Sequence, residues 1–173
     1  MQVEVNVQDY FFTASRTAVS EADNVLCPIS TQTWENWFYR WLESLQPNIP
    51  SADAYELTLR LTDDCEIQTL NSQYRNKNQP TDVLAFAALE VNSPQLPTHI
   101  QSSVPLYLGD LVISVETAAR QAHQQEHSLQ TELAWLATHG LLHLLGWDHP
   151  DEESLRAMLN QQEFLLRMVE ITN

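Results

Sequence analysis

The 173-residue sequence predicts an α/β (α+β) fold, a small mixed sheet of about four strands packed with roughly five to six helices. Three observations carry that prediction. Short segments alternate apolar and polar residues with the period of a strand. Longer segments repeat apolar residues with the period of a helix. The two kinds are interleaved along the chain. The length suits a single domain spanning 1–173, with a core that needs no disulfide support.

The elements follow in order. Val3, Val5 and Val7 alternate with Gln2, Glu4 and Asn6, which reads as a strand. Trp34, Trp37, Phe38, Trp41, Leu42 and Leu45 form one apolar stripe of a helix that ends near Pro47. Leu57, Leu59 and Leu61 alternate with Glu56, Thr58, Arg60 and Thr62, a second strand with one wet face. Asp63 or Asp64 can cap a helix running to about Tyr74. Val83 to Ala87 is a short apolar run after the turn at Pro80, a third strand. The stretch 89–105 contains three prolines and many polar residues and is expected to be an exposed loop. Leu106 to Val115 is almost continuously apolar, as in a strand covered on both faces. Helices are expected at about Glu116–Gln125, Ser128–Leu145 and Pro150–Val169, with Pro150 near the first position of the last.

Composition limits the function classes. Eight basic residues against 23 acidic ones give a formal charge of −15, which argues against broad nonspecific attraction to polyanions. Bulk acidity of this kind serves solubility. Cys27 and Cys65 are far apart and outside any CxxC, so they read as ordinary buried or half-buried thiols rather than a disulfide framework. Met1 to Val5 lacks the basic and apolar regions of a signal peptide, and no segment is apolar for the length of a bilayer crossing. A soluble cytoplasmic protein without a membrane partner is expected.

The most specific feature is His139-Gly140-Leu141-Leu142-His143-Leu144-Leu145-Gly146-Trp147-Asp148-His149. Two histidines four apart on a helix share a face, and a turn at Gly146 can return His149 to the same point. Three neutral imidazoles with an open position make a catalytic zinc arrangement, placed here at a helix end beside the sheet. A closed structural site would need a fourth ligand, and neither cysteine nor His99 is near in sequence. His123 and His127 are also four apart but lack a third partner and read as a solvated helix end. The spacing is that of H-E-x-x-H peptidases, except that the glutamate base of those enzymes is replaced by Gly140. Asp148 is the nearest carboxylate; capping the last helix or orienting a ligand is expected of it before a role as a base.

Two further segments matter. In Asn71-Ser72-Gln73-Tyr74-Arg75-Asn76-Lys77-Asn78-Gln79-Pro80-Thr81-Asp82-Val83-Leu84, Arg75 offers a planar fork suited to phosphate, and Thr81 and Asp82 can pin the turn. Alone, an arginine in a turn is usually just a solvated one. Gly109-Asp110-Leu111-Val112-Ile113-Ser114 is a strand with a polar interruption.

Together, and in this order, the three segments resemble the YbeY family of metal-dependent endoribonucleases. The family pattern H-G-x-L-H-L-x-G-[YW]-D-H matches 139–149 in full, N-x-x-Y-R-x-x-x-x-P-T-D-V-L matches Asn71 to Leu84, and G-D-[IL]-x-I-S matches Gly109 to Ser114. The His127-Ser128 step before a helix bearing Glu132 is also similar. The likeness covers about Leu57 to Val169. One departure is Ala85-Phe86-Ala87, where the family commonly has S-F-P.

The resemblance implies one zinc ion held by His139, His143 and His149, with Arg75 engaging RNA beside it and catalysis depending on His139 and Arg75. It implies single-strand-specific cleavage in small-subunit ribosomal RNA maturation and ribosome quality control, with the ribosome or small-subunit proteins as partners and no DNA. The residues agree with that chemistry. Zinc acidifies water towards neutrality without a glutamate base, and zinc with a guanidinium suits the charge that builds on a phosphoryl group. Two other classes stand beside it: a ribosome-assembly factor with weak or no catalysis, and another metallohydrolase.

Overall fold

A computed structural model describes residues 1–12, 29–89 and 104–171. Most of the expected 89–105 loop, Cys27 and His99 lie outside the described residues. Strand β1 is Gln2–Asp9, helix α1 Thr31–Leu45, β2 Ala54–Thr62, α2 Asp64–Arg75, β3 Val83–Ala87 and β4 Leu106–Ser114. Three helices follow: α3 Val115–Gln124, α4 Leu129–Leu144 and α5 Glu152–Met168. Among the described residues the strands form one mixed sheet in the order β1-β2-β4-β3. The first three are parallel, and β3 closes one edge antiparallel to β4.

The sheet has two unequal faces, and the strand alternation dictates which residues go to which. Leu57, Leu59 and Leu61 of β2 and Leu111 and Ile113 of β4 point to the main core. There they meet the α1 stripe (Trp34, Phe38, Trp41) and apolar residues of α4 and α5. Each such fully buried side chain contributes about 2 kcal/mol through the water it sheds. Trp41 Nε1 donates to the Leu165 carbonyl at 2.9 Å, which ties α1 to α5. Among the described residues the opposite face carries a satellite cluster of Ile67, Leu84 and Val112 beneath α2, with Leu70 and Phe86 at its margin. The rest of that face is left to polar and aromatic side chains.

Side-chain caps fix the helix starts. Ser30, Asp63, Ser114 and Ser128 each accept from the backbone N–H three residues on. Asp64 joins two helix starts, accepting from Ser114 Oγ and Thr117 Oγ1 at 2.6 Å each and from Arg120 Nη2 at 2.8 Å. Burial works against its charge, but these three donors win and hold its carboxyl below the usual carboxylate range.

Three expectations change. The last helix starts at Glu152 rather than Pro150, because Asp151 and Ser154 form a reciprocal capping box. Cys65 is exposed. Strand β4 is covered on both faces only in its second half, since Tyr107 and Asp110 face the open side. The change follows a bulge, where the register with β2 shifts between Glu56 and Thr58, opposite Gly109. Gly109 adopts φ +135°, and a Cβ there would lie 2.1 Å from the Phe86 carbonyl oxygen.

Candidate metal centre

Helix α4 is apolar on almost every side because it is wedged between the sheet, α3 and α5. Its last turns carry His139 and His143. Gly140 between them points at the sheet, where a Cβ would lie 2.7 Å from Leu111 Cδ2 and 3.4 Å from Val83 Cγ2. The residue beside the first histidine therefore faces the core, which is why the position is a glycine. Past Leu144 the chain turns sharply, with Gly146 N–H donating to the His143 carbonyl and Trp147 N–H to that of Leu142. His149 returns to the histidine pair, and Asp148 Oδ1 accepts from the His149 backbone N–H at 2.8 Å. Asp148 thus pins the returning turn, whereas Asp151 caps the next helix.

The three rings converge. His139 and His143 bring their Nε2 atoms to 3.0 Å, and one nitrogen from each of the three histidines lies within 4.8 Å of the others. Nitrogens sharing one zinc ion tetrahedrally stand about 3.3 Å apart, so the spacing fits a single ion. The opposite ring atoms are anchored. His143 Nδ1 lies 2.9 Å from the Trp147 carbonyl oxygen, which can only accept, so that nitrogen carries the proton. His139 Nδ1 lies 3.1 Å from Gln162 Oε1. The same amide donates through Nε2 to the Trp135 carbonyl at 3.4 Å, which sets its orientation. Both Nε2 lone pairs therefore face each other, an arrangement that repels unless a cation lies between them. Burial, and next the neighbouring His139, push the His143 ring below the ordinary histidine range, which keeps it neutral as a ligand must be.

Gln162, fully buried on α5, had no signature in the sequence, because its role depends on two helices packing side by side. Partners of this kind orient ligand rings. Gln162→Leu is expected to keep the fold and weaken zinc affinity about 10- to 100-fold, measured by competition with a chromogenic chelator. Unchanged affinity would show that packing alone holds His139.

Arg75 is the last residue of α2. It is exposed and donates through Nη2 to the Ala85 carbonyl of β3 at 3.4 Å. The loop after it is stapled. Asn71 Nδ2 donates to the Gln79 carbonyl at 2.9 Å, and Asp82 accepts from Val83 N–H at 2.7 Å and from Gln121 Nε2 at 3.3 Å. These bonds bear out the pinning expected of Asp82. Arg75 and the histidine helix thus meet the same edge strand, Arg75 at Ala85 and α4 at Val83. No hydrogen bond joins Arg75 to the histidines among the described residues.

His127 is not a solvated helix end. Its Nε2 lies 2.5 Å from Glu132 Oε2, and Glu132 is buried. A buried carboxylate needs such a partner. The signal was present: Glu132 precedes His139 by seven residues and His143 by eleven, two and three helical turns along one face.

A mixed four-stranded sheet with three histidines gathered where a helix ends, two of them anchored through their other ring nitrogen, defines an α/β protein with a histidine cluster that could hold a metal ion. The family model described as Endoribonuclease YbeY matches residues 19–170, so the chain belongs to that family. It is 60% identical over 171 residues to the Endoribonuclease YbeY of Trichormus variabilis, covering 99% of this chain and 96% of that protein. The Trichodesmium erythraeum protein of that name is 60% identical (98% and 94% covered), and the Synechocystis one 48% (96% and 90%). The solution structure of TM1509 from Thermotoga maritima shares the fold, with a TM-score of 0.53 at 20% identity, over 96% of this chain and 88% of that one. No helix among the described residues is long and apolar enough to cross a membrane.

Proposed function

We propose that this chain is a zinc-dependent endoribonuclease that cleaves single-stranded RNA during maturation and quality control of small-subunit ribosomal RNA in the cytoplasm. The observation that carries the reading is the convergence of His139, His143 and His149 within 4.8 Å, in a chain whose relatives are named endoribonucleases. Three nitrogen donors and an open position suit zinc.

The chain's own residues have separate tasks. Gln162 and the Trp147 carbonyl hold the Nδ1 protons of His139 and His143, so both rings present their Nε2 lone pairs. His139, His143 and His149 would hold a zinc ion, which when bound would supply positive charge to the phosphoryl oxygens and acidify water. Gly140, turned into the sheet, leaves no side chain beside His139 to act as a peptidase base. Arg75 spends one N–H on Ala85 and keeps other donors for a phosphate. Asn71 and Asp82 hold the loop that leads from Arg75 into the edge strand. The formal charge of −15 opposes solo capture of RNA, so the ribosome or a small-subunit protein brings the substrate.

Arg75→Glu is the direct test. Bound zinc should stay near one equivalent while cleavage of a single-stranded RNA falls at least about 100-fold, the scale of losing a charge-stabilising donor. Undiminished cleavage would remove Arg75 from the reading. Cleavage that survives exhaustive chelation would remove the metal.

A further inference from the structure

A cleft of about 640 Å³ lies away from the histidines. It lies on the opposite face of the sheet, where α2 leaves the strands uncovered. Gln8, Thr58, Arg60, Asp110 and Val112 form its floor, and Glu66, Leu70, Tyr74 and Phe86 form its wall. The α4 helix packs on the Leu111 side of β4, and the cleft opens on the Val112 side.

Tyr74 lines this cleft, and two further exposed tyrosines touch residues of its lining, Tyr10 at Arg60 and Tyr107 at Thr58 and Asp110. Tyr74, 61% exposed, stands edge-to-face with Phe86 at 5.3 Å. Tyr10, 54% exposed, lies under the Arg60 guanidinium at 3.8 Å. Tyr107, 39% exposed, bonds through its hydroxyl to Thr58 at 2.9 Å and to Asp110. Leaving three aromatic rings in water around one cleft costs apolar burial that a structural role would recover.

The charges inside the cleft are already spoken for. Arg60 is held by both oxygens of Glu66, at 2.5 and 2.8 Å, and by Gln8 Oε1 at 3.1 Å. Among the described residues of the floor, Arg60 is the one cation, and these bonds engage it. The Asp110 carboxylate has hydrogen-bonding capacity beyond the Tyr107 hydroxyl, and the Gln8 amide keeps its N–H donors. An uncharged planar ring with N–H donors and acceptors on its edge fits these groups. Arg75 and Lys77, next to Tyr74 in the chain, supply positive charge at the end of α2. Open sheet faces bearing aromatic rings are a recurrent platform for unstacked bases.

We propose that this cleft, lined by Tyr74 and flanked by Tyr10 and Tyr107, is a base-binding subsite, taking one or two unstacked nucleobases of single-stranded RNA whose backbone passes Arg75 at the β3 edge. The proposal rests on the endoribonuclease reading. It adds that the enzyme grips its substrate on the far side of the sheet from the metal.

The test is binding of a fluorescein-labelled 2′-O-methyl RNA hexamer to the zinc-loaded full chain, read by anisotropy at several salt concentrations. Tyr74→Ala should weaken binding about tenfold, the scale of one lost base stack, and Tyr74→Phe should restore it. The slope of log affinity against log salt should not change in Tyr74→Ala, whereas Arg75→Glu should flatten it. Tyr39→Ala, an exposed tyrosine on α1 outside the cleft, should bind as the wild type does. If the wild type binds the hexamer and Tyr74→Ala binds it equally well, the subsite is refuted and the endoribonuclease reading stands. A wild type that neither binds nor cleaves RNA overturns both. A basic peptide that binds the wild type through Asp110, with hexamer affinity indifferent to Tyr74, would assign the cleft to a protein partner and overturn the proposal.

Discussion

Replacing His139 with alanine is expected to empty the metal centre and cut RNA cleavage at least about a thousandfold, the several kcal/mol that a Lewis-acid ion contributes. The reasoning starts from the 3.0 Å separation of the His139 and His143 Nε2 atoms. Both lone pairs point at one spot because Gln162 and the Trp147 carbonyl hold the protons on the other side of each ring. Removing His139 leaves two nitrogens where an open catalytic site needs three. The metal-free variant should lose no more than about 1–3 kcal/mol, since truncation leaves the buried Gln162 Oε1 without its partner but relieves a repulsion between lone pairs. The zinc-loaded wild type should gain stability that the variant cannot, because binding to the folded state adds to its free energy. Metal analysis with thermal unfolding, with and without added zinc, checks both points. A purified variant that keeps a full equivalent of zinc would exclude His139 as a ligand.

The second large effect is structural. Gly109→Ala is expected to destabilise the protein by about 4 kcal/mol, measured by urea unfolding. Two causes add: a strained backbone at φ +135°, worth about 1–3 kcal/mol, and overpacking of similar size. The overpacking has no easy relief. The added carbon would sit 2.1 Å from the Phe86 carbonyl oxygen and 3.1 Å from the Ala88 backbone nitrogen, and backbone in a sheet cannot swing aside. Leu144 Cδ2, at 2.9 Å, closes the third side. Since Leu144 follows His143, the strain should also reach the metal centre and weaken zinc binding. A loss below about 1 kcal/mol would mean that β3 lifts off β4 at little cost.

Local patterns made much of this legible from sequence. The Trp34-to-Leu45 stripe, the Leu57-to-Leu61 alternation and the apolar run of β3 fall where sequence pattern placed them, because each is a local signal. The histidines are equally local: four residues on a helix and a short return turn bring them together. The supporting groups were not legible, since Gln162 reaches His139 only after α5 packs against α4. Tyr74 of α2 lines a cleft whose other residues Tyr10, just past β1, and Tyr107 of β4 touch, and no spacing rule links the three. His127 was misread because its partner, Glu132, is buried on a helix that tertiary packing encloses, which no local pattern reveals. The coverage of β4 was misread because the bulge at Gly109 re-aims the residues before Leu111.

The orientation of Gly140 has a consequence for how this centre could evolve. A single nucleotide change can turn a glycine codon into one for glutamate, which would spell out the H-E-x-x-H peptidase pattern in this chain. Position 140, however, faces Leu111 and Val83 in the core. A glutamate there would bury an unpaired carboxylate between helix and sheet instead of offering it to a substrate. The route from this centre to peptide cleavage is one mutation long on paper, and packing closes it.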